Sequence, residues 1–295
     1  MSESTPEFPT IGVLGFGTMG AGIAQVFAAS GRTVIVLETD RERIDAGSAS
    51  IAQFLDGGIE RGKATESEKD AVLGRIAGTT SIADLAEVDL ILESVSENPD
   101  VKKGLLASVA DVVGPAVPIL TNTSALSVTD LAAGLDNPER VAGLHFFNPA
   151  PVMKTVEVVR ALQTDDDLID RLVELVHSLE NKSPVVVKDR PGFLVNSLLL
   201  PYLNDVIGEF DNELATAEDI DVALELGLGY KTGPLKMLDI IGLDVHLHAT
   251  QAAYDATLDE RFAPPPLLRQ MVAAGRLGNK NGRGFRTDDT TPKGH

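Results

Sequence analysis

The chain has 295 residues, of which 43% are hydrophobic and none is cysteine. That is enough apolar material for one large domain or two modest ones, and it excludes disulfides, thiolate nucleophiles and cysteine-held zinc or iron–sulfur centres. A formal charge of −19 repels a nucleic-acid backbone, so no nucleic-acid partner is expected and any anionic ligand needs cations placed locally.

The opening MSESTPEFPT carries neither a basic leader nor an apolar stretch of about 7–15 residues. The longest apolar runs, such as that around 193–200, fall short of the roughly 18 residues a membrane span needs. No membrane partner is expected, and the expected location is the cytoplasm. MSESTPEFP and the closing TDDTTPKGH read as disordered on composition.

Residues 9–37 give a short apolar run, a glycine-rich turn, an amphipathic stretch and a second β-branched run, which is a strand–helix–strand unit. The segment from Asp40 to Ala77 has no strand signal and reads as an inserted helical arm, its turn placed near Gly57-Gly58 and Arg61-Gly62. Further β-rich runs follow at 88–92, 117–120, 141–147, 156–159 and 185–187, most of them separated by stretches of helical length. That alternation predicts an α/β fold, a Rossmann-type doubly wound and largely parallel sheet over residues 1–189. From Pro191 onward the β-rich runs stop. Thr216 with Asp219 approximates a capping box, Pro234 and Pro266 suit first helical turns, and Gly227 and Gly275 suit helix ends. A smaller all-α second domain is therefore expected over residues 190–295.

Gly15-Phe16-Gly17-Thr18-Met19-Gly20 fits GxGxxG between a predicted strand and a predicted helix. The first glycine permits the turn, the second lets backbone N–H groups approach a pyrophosphate, and the third lets helix and strand pack closely. The helix N-terminus then supplies positive potential that the overall charge lacks. Glu38 closes the second strand, where a carboxylate accepts from both ribose hydroxyls of an adenosine and repels a 2′-phosphate. These residues point to NAD rather than NADP.

Downstream, Gly143-Leu144-His145-Phe146-Phe147-Asn148-Pro149-Ala150-Pro151-Val152-Met153-Lys154-Thr155-Val156-Glu157 ends one β-rich run on a histidine and places a glutamate in the next, across two prolines. If the chain folds back there, the carboxylate meets the imidazole and makes a proton-transfer pair suited to neutral pH. From the residues alone, a histidine beside two phenylalanines reads more readily as a core side chain. Two other signals carry no metal. His246 and His248 stand two apart on a predicted helix and face different ways, and Asp165-Asp166-Asp167 suits a helix N-terminus.

GFGTMGAGIAQVFA, TNTSALSV, GLHFFNPAPVMKTVEVV, DRPGFLVN and PPPLLRQMVAAGRLGNKNGRGF occur in this order between Ile11 and Phe285. Together they resemble the 3-hydroxyacyl-CoA dehydrogenase family, and most of all its short 3-hydroxybutyryl-CoA dehydrogenases. The resemblance implies an NAD-dependent, reversible oxidation of an (S)-3-hydroxyacyl thioester. In it His145 exchanges the proton of the 3-hydroxyl, Glu157 orients His145, and Ser124 and Asn196 bond the substrate oxygen. It further implies cofactor contacts at Glu97, Lys102, Asn122 and Asn148 beside Gly15, Gly17, Thr18, Met19, Gly20 and Glu38, and a homodimer formed through the helical domain.

The chain departs from the family at three places. The arm of the family carries two basic residues one turn apart for the phosphates of coenzyme A. Arg61 matches the second, and Gly57 stands at the first. Tyr230-Lys231-Thr232 replaces a common His-Pro, and Arg286 replaces a common aromatic. These changes spare the catalytic set and leave a carrier-protein thioester as the alternative to acyl-CoA. A non-catalytic dinucleotide-binding protein on the same fold is a further alternative, against which the intact Ser124, His145, Glu157 and Asn196 argue.

Overall fold

A computed structural model describes residues 6–286. The chain divides into two compact units, 1–193 and 194–295.

The first unit opens with β1 (Thr10–Leu14), α1 (Thr18–Ala29) and β2 (Thr33–Leu37). The arm follows as α2 (Arg41–Glu60) and α3 (Glu66–Leu73), and then come β3 (Ile76–Thr79), β4 (Leu90–Glu93), α4 (Pro99–Ala110), β5 (Ile119–Thr121) and α5 (Val128–Ala132). The unit is completed by β6 (Val141–Phe146), β7 (Thr155–Arg160), α6 (Asp166–His177) and β8 (Ser183–Lys188). The strands form an eight-stranded sheet in the order β3-β2-β1-β4-β5-β6-β7-β8. β1 to β6 pair in parallel, β7 runs antiparallel to β6, and β8 is parallel to β7. The chain direction of winding reverses between β1 and β4, which makes the ends of these two strands the switch point where open α/β sheets take their ligands. One core cluster centres on Ile23, Phe27, Val34, Leu144 and Val158, and a second on Leu14, Ile91, Leu106, Ile119 and Val141. Apolar residues of alternate parity thus serve both sides of the sheet.

Three details correct the sequence reading. The arm ends earlier than Ala77, because Ile76–Thr79 is a strand, β3, paired with β2. IAGT is too short and too small-residued to announce itself by period. Of the two pairs that place the turn of the arm, Arg61-Gly62 is where the chain turns and Gly57-Gly58 is not. α2 runs through Gly57 and Gly58, and the chain turns after Arg61, where Thr65 and Glu68 form a reciprocal capping box that starts α3. Near the N-terminus, Phe8 is buried under the guanidinium of Arg171, and Glu7 bonds Arg32 and Arg171, so this stretch is packed. The expectation of disorder otherwise falls on residues outside those described.

The second unit consists of α7 (Val195–Asp211), α8 (Ala217–Leu228), α9 (Pro234–Ile241), α10 (Leu243–Thr257) and α11 (Pro266–Ala273). Thr216 caps α8 by accepting from the Asp219 N–H, and Pro234 and Pro266 each open a helix. Gly227 lies inside α8, and the left-handed residue that ends it is Gly229. Leu203, Ile207, Leu235, Leu238, Leu243 and Leu268 form the core of the unit. A polar chain is buried beside it. His246 Nε2 lies 3.1 Å from Asn204 Oδ1, Asn204 donates to Thr250 Oγ1 and Arg261 O, and Thr250 donates to Phe262 O. Burial lowers the pKa of His246 from 6.5 to about 4. His248 faces outward on the same helix. No described helix is long and apolar enough to cross a membrane.

Candidate active site

The glycine turn follows β1 at the switch point. Gly15 takes a φ of +91°, and a Cβ on Gly20 would stand 2.0 Å from the Gly15 carbonyl oxygen, so turn and helix touch through bare backbone. Gly17, by contrast, faces open space on the side a Cβ would occupy, and it precedes α1 with no side chain capping that helix. Thr18 and Met19 are the first residues of α1, and the first-turn N–H groups have no partner within the helix. An open glycine face next to uncapped N–H groups fits a pyrophosphate. Phe16 packs its ring against Gly47 of α2, which fixes the turn from the arm side.

Glu38 stands half-buried just after β2. Its carboxylate accepts from the N–H of Phe16 at 2.8 Å and of Thr39 at 2.9 Å, tying the end of β2 to the glycine turn. The two backbone bonds orient the carboxylate beside the turn.

The ends of β4, β5 and β6 are bound together by a polar network. Glu93, fully buried, accepts from Lys102 Nζ at 2.6 Å, from the Val95 N–H at 2.6 Å and from Thr121 Oγ1 at 2.7 Å. Lys102 is also buried and reaches Glu97 at 3.2 Å. Glu97 in turn accepts from the Thr123 hydroxyl and from the N–H groups of Ser124 and Ala125, so it holds the turn that presents Ser124. Burial raises the pKa of Glu97, but the charge of Lys102 and the hydrogen bonds from Thr123, Lys102 and Ser124 outweigh it and leave the carboxyl below its ordinary value. Asn122 accepts from the Phe146 N–H at 2.8 Å, which joins β5 to the end of β6.

At that end of β6 stands His145. Antiparallel pairing with β7 sets His145 opposite Glu157, and Nδ1 lies 2.7 Å from Glu157 Oε2. Both are buried, and Phe147 and Phe193 flank the imidazole at 4.6 and 5.6 Å between ring centroids. Against an ionised carboxylate, which only accepts, a neutral imidazole would carry its proton on Nδ1 and its lone pair on Nε2. The turn between the strands carries the exposed Asn148, joined to Pro149 by a cis bond. Ala150 and Pro151 pack on Gly22 of α1.

Arg61 caps the end of α2, its guanidinium lying against Gly57, 3.2 Å from where a Cβ would stand. It lines a cavity of about 420 Å³ with Lys63, Phe54 and Val152. Asn196 lies in the first turn of α7, in the second unit. No group of three or more metal-ligating side chains occurs among the described residues. Sequence reasoning does not single out Glu93, because an acid closing an apolar strand reads as a solvated end. The apolar run LIL closing on an acid, with a lysine nine residues on, is the only signal it leaves.

Comparison with known proteins finds relatives along nearly the whole chain. Residues 10–190 match the model of the NAD binding domain of 3-hydroxyacyl-CoA dehydrogenase, and residues 192–288 match that of its C-terminal domain. The chain is 41% identical over 278 residues to a 3-hydroxybutyryl-CoA dehydrogenase of Mycobacterium tuberculosis, covering 94% of this chain and 97% of that protein. It is 42% identical over 276 residues to the 3-hydroxyadipyl-CoA dehydrogenase of Escherichia coli, covering 93% of this chain but only 58% of that longer protein. The crystal structure of an (S)-3-hydroxybutyryl-CoA dehydrogenase from Ralstonia eutropha superposes with a TM-score of 0.89 at 41% identity, covering 94% of this chain and 98% of that one.

Proposed function

The chain belongs to the 3-hydroxyacyl-CoA dehydrogenase family, an NAD-dependent oxidoreductase family, and from that premise we propose that it interconverts (S)-3-hydroxybutyryl-CoA and acetoacetyl-CoA. The observation that carries the reading is the buried Nδ1 to Oε2 contact of 2.7 Å between His145 and Glu157 at the end of β6.

In the oxidative direction His145 Nε2 takes the proton of the 3-hydroxyl as the C3–H bond breaks and the C3–O bond becomes a carbonyl. NAD, when bound, would supply the acceptor for the hydride of C3. Glu157 holds the ring in the tautomer that leaves Nε2 free to accept, and its charge stabilises the imidazolium that results. In reduction the same imidazolium returns the proton to the forming alkoxide. Ser124 offers a neutral hydroxyl to the substrate oxygen, a donor that suits a developing negative charge. Asn196 is read from its sequence position as a second such donor. The backbone around Gly17, Thr18, Met19 and Gly20 would hold the pyrophosphate, Glu38 the adenosine ribose, and Asn122, Asn148 and Glu97 the nicotinamide side, with Lys102 acting through Glu97. Arg61 would meet the phosphates of the acyl carrier.

Within the second unit, Leu198, Leu214, Leu226 and Leu228 are 67%, 70%, 83% and 63% exposed. Apolar side chains so uncovered support a homodimer formed through this unit.

The test is NADH formation against a panel of 3-hydroxyacyl thioesters of increasing chain length on coenzyme A and on acyl carrier protein. Highest kcat/KM with the C4 coenzyme A ester is expected. Preference for the carrier-protein ester would overturn the choice of carrier, and no turnover on any member would overturn the dehydrogenase reading.

A further inference from the structure

Lys182 is buried, 6% exposed, and sits immediately before β8. Because β8 is parallel to β7 and Ser183 pairs with Thr155, this residue lies at the same end of the sheet as His145. Its ammonium donates to two carbonyl oxygens of the turn that joins β6 to β7, to Ala150 O at 2.6 Å and to Met153 O at 2.6 Å. The turn is tied internally as well, since the Val152 and Met153 N–H groups both bond Pro149 O, and Ser183 N–H bonds Lys154 O. Its other face packs through Ala150 and Pro151 on Gly22 of the glycine-turn helix.

A lysine ammonium taken out of water without a carboxylate partner is costly, and here burial lowers its pKa. Two carbonyls in the short range of charge-assisted bonds offset that cost. What the geometry supplies is a clamp across residues 150–153, in the middle of the segment between His145 and Glu157 and seated against α1. We infer that Lys182 is a positioning residue of the dehydrogenase. By clamping the 149–153 turn it holds β6 and β7 in the alignment that sets Glu157 on His145, and it holds that pair at a fixed distance from the helix that carries the cofactor turn. The inference rests on the acid–base reading of His145 and Glu157.

The experiment is steady-state oxidation of (S)-3-hydroxybutyryl-CoA by the full chain, with NADH affinity from fluorescence titration, for Lys182→Met, Lys182→Gln, Glu157→Gln, His145→Gln and the Lys182→Met/Glu157→Gln double variant. Lys182→Met is expected to lower kcat at least about tenfold, the order expected when a catalytic group is misplaced, and to leave NADH affinity within about threefold of wild type. Lys182→Gln, which keeps N–H donors without the charge, is expected to fall between wild type and Met, and it carries the test if Met does not fold. The double variant is expected to lose no more than about threefold beyond Glu157→Gln, because residues that act through one another are not additive. A kcat near wild type in Lys182→Met, or fully additive losses in the double variant, would overturn the role of Lys182. A His145→Gln enzyme with near-normal turnover would instead overturn the acid–base reading, so the two failures are distinct.

Discussion

His246 offers a measurement in which the structure sets both direction and size. It is 1% exposed, hydrogen-bonded to Asn204, and its pKa is depressed by burial from 6.5 to about 4. Below pH 6.5 the unfolded chain takes up a proton that the folded chain refuses, so acid favours unfolding and stability rises with pH across the window from about 4 to 6.5. A gap of about 2.5 units at about 1.4 kcal/mol per unit gives a limit of about 3.5 kcal/mol, with about 1.4 kcal/mol of it lost by pH 5.5. Other groups titrate in the same range, so the informative quantity is the difference between wild type and His246→Gln. Glutamine keeps an N–H for Asn204 and cannot take the proton. Urea unfolding of both proteins at pH 7.5, 6.5, 5.5 and 4.5 should show wild type losing ground to the variant by about 2.5 kcal/mol, roughly three-quarters of the limit, at the lowest pH. Parallel curves throughout would refute the assignment of a buried neutral imidazole.

The two glycines of the cofactor turn should separate folding from binding. Gly20→Ala, whose Cβ would meet the Gly15 carbonyl at 2.0 Å, should lower Tm markedly, whereas Gly17→Ala, facing open space, should keep Tm and weaken NADH binding in a fluorescence titration. Glu38→Ala should narrow the preference for NAD over NADP in kcat/KM, since it removes the group that repels a 2′-phosphate; an unchanged ratio would refute that role. His145→Gln and Glu157→Gln should each lower kcat by about 100-fold or more with NADH affinity retained. Lys102→Met should cost about 3–5 kcal/mol in denaturant unfolding, because it leaves the buried Glu93 without its cation. Light scattering should give twice the chain mass, and a monomer alone would refute the homodimer.

The parts of the fold that could be read from the sequence are those that repeat or punctuate. GxGxxG between two apolar runs, the β-rich runs closing on Glu38 and His145, and the prolines that open α9 and α11 all state a local geometry. β3 is not legible because Ile76–Thr79 is a strand only by virtue of β2 beside it. Gly227 and Gly229 are equivalent in sequence, and only the backbone reveals that Gly229 carries the left-handed turn. Phe8 and Glu7 read as part of a polar tail, yet Arg171, 164 positions away from Glu7, holds these two residues in place. The site shows the same division. His145 and Glu157 are visible as residues, but their meeting depends on β7 reversing direction, which two prolines permit and do not dictate. Glu93 and Lys182 are invisible because a buried charge is recognised by its partners, and those partners are backbone groups or residues far along the chain.

The reversal at β7 has a consequence for how this chain can change. Side chains alternate between the two faces of a strand, and both faces of this sheet are packed. Adding or removing a single residue between Phe147 and Lys154 would shift β7 by one position, turn Glu157 to the opposite face and put Val156 or Val158 against the imidazole. Length variation is therefore barred in this one connection, whereas the turn between α2 and α3 has no such parity to keep. A deletion scan across the two turns would read as a map of where the pairing of His145 with Glu157 is encoded by counting rather than by composition.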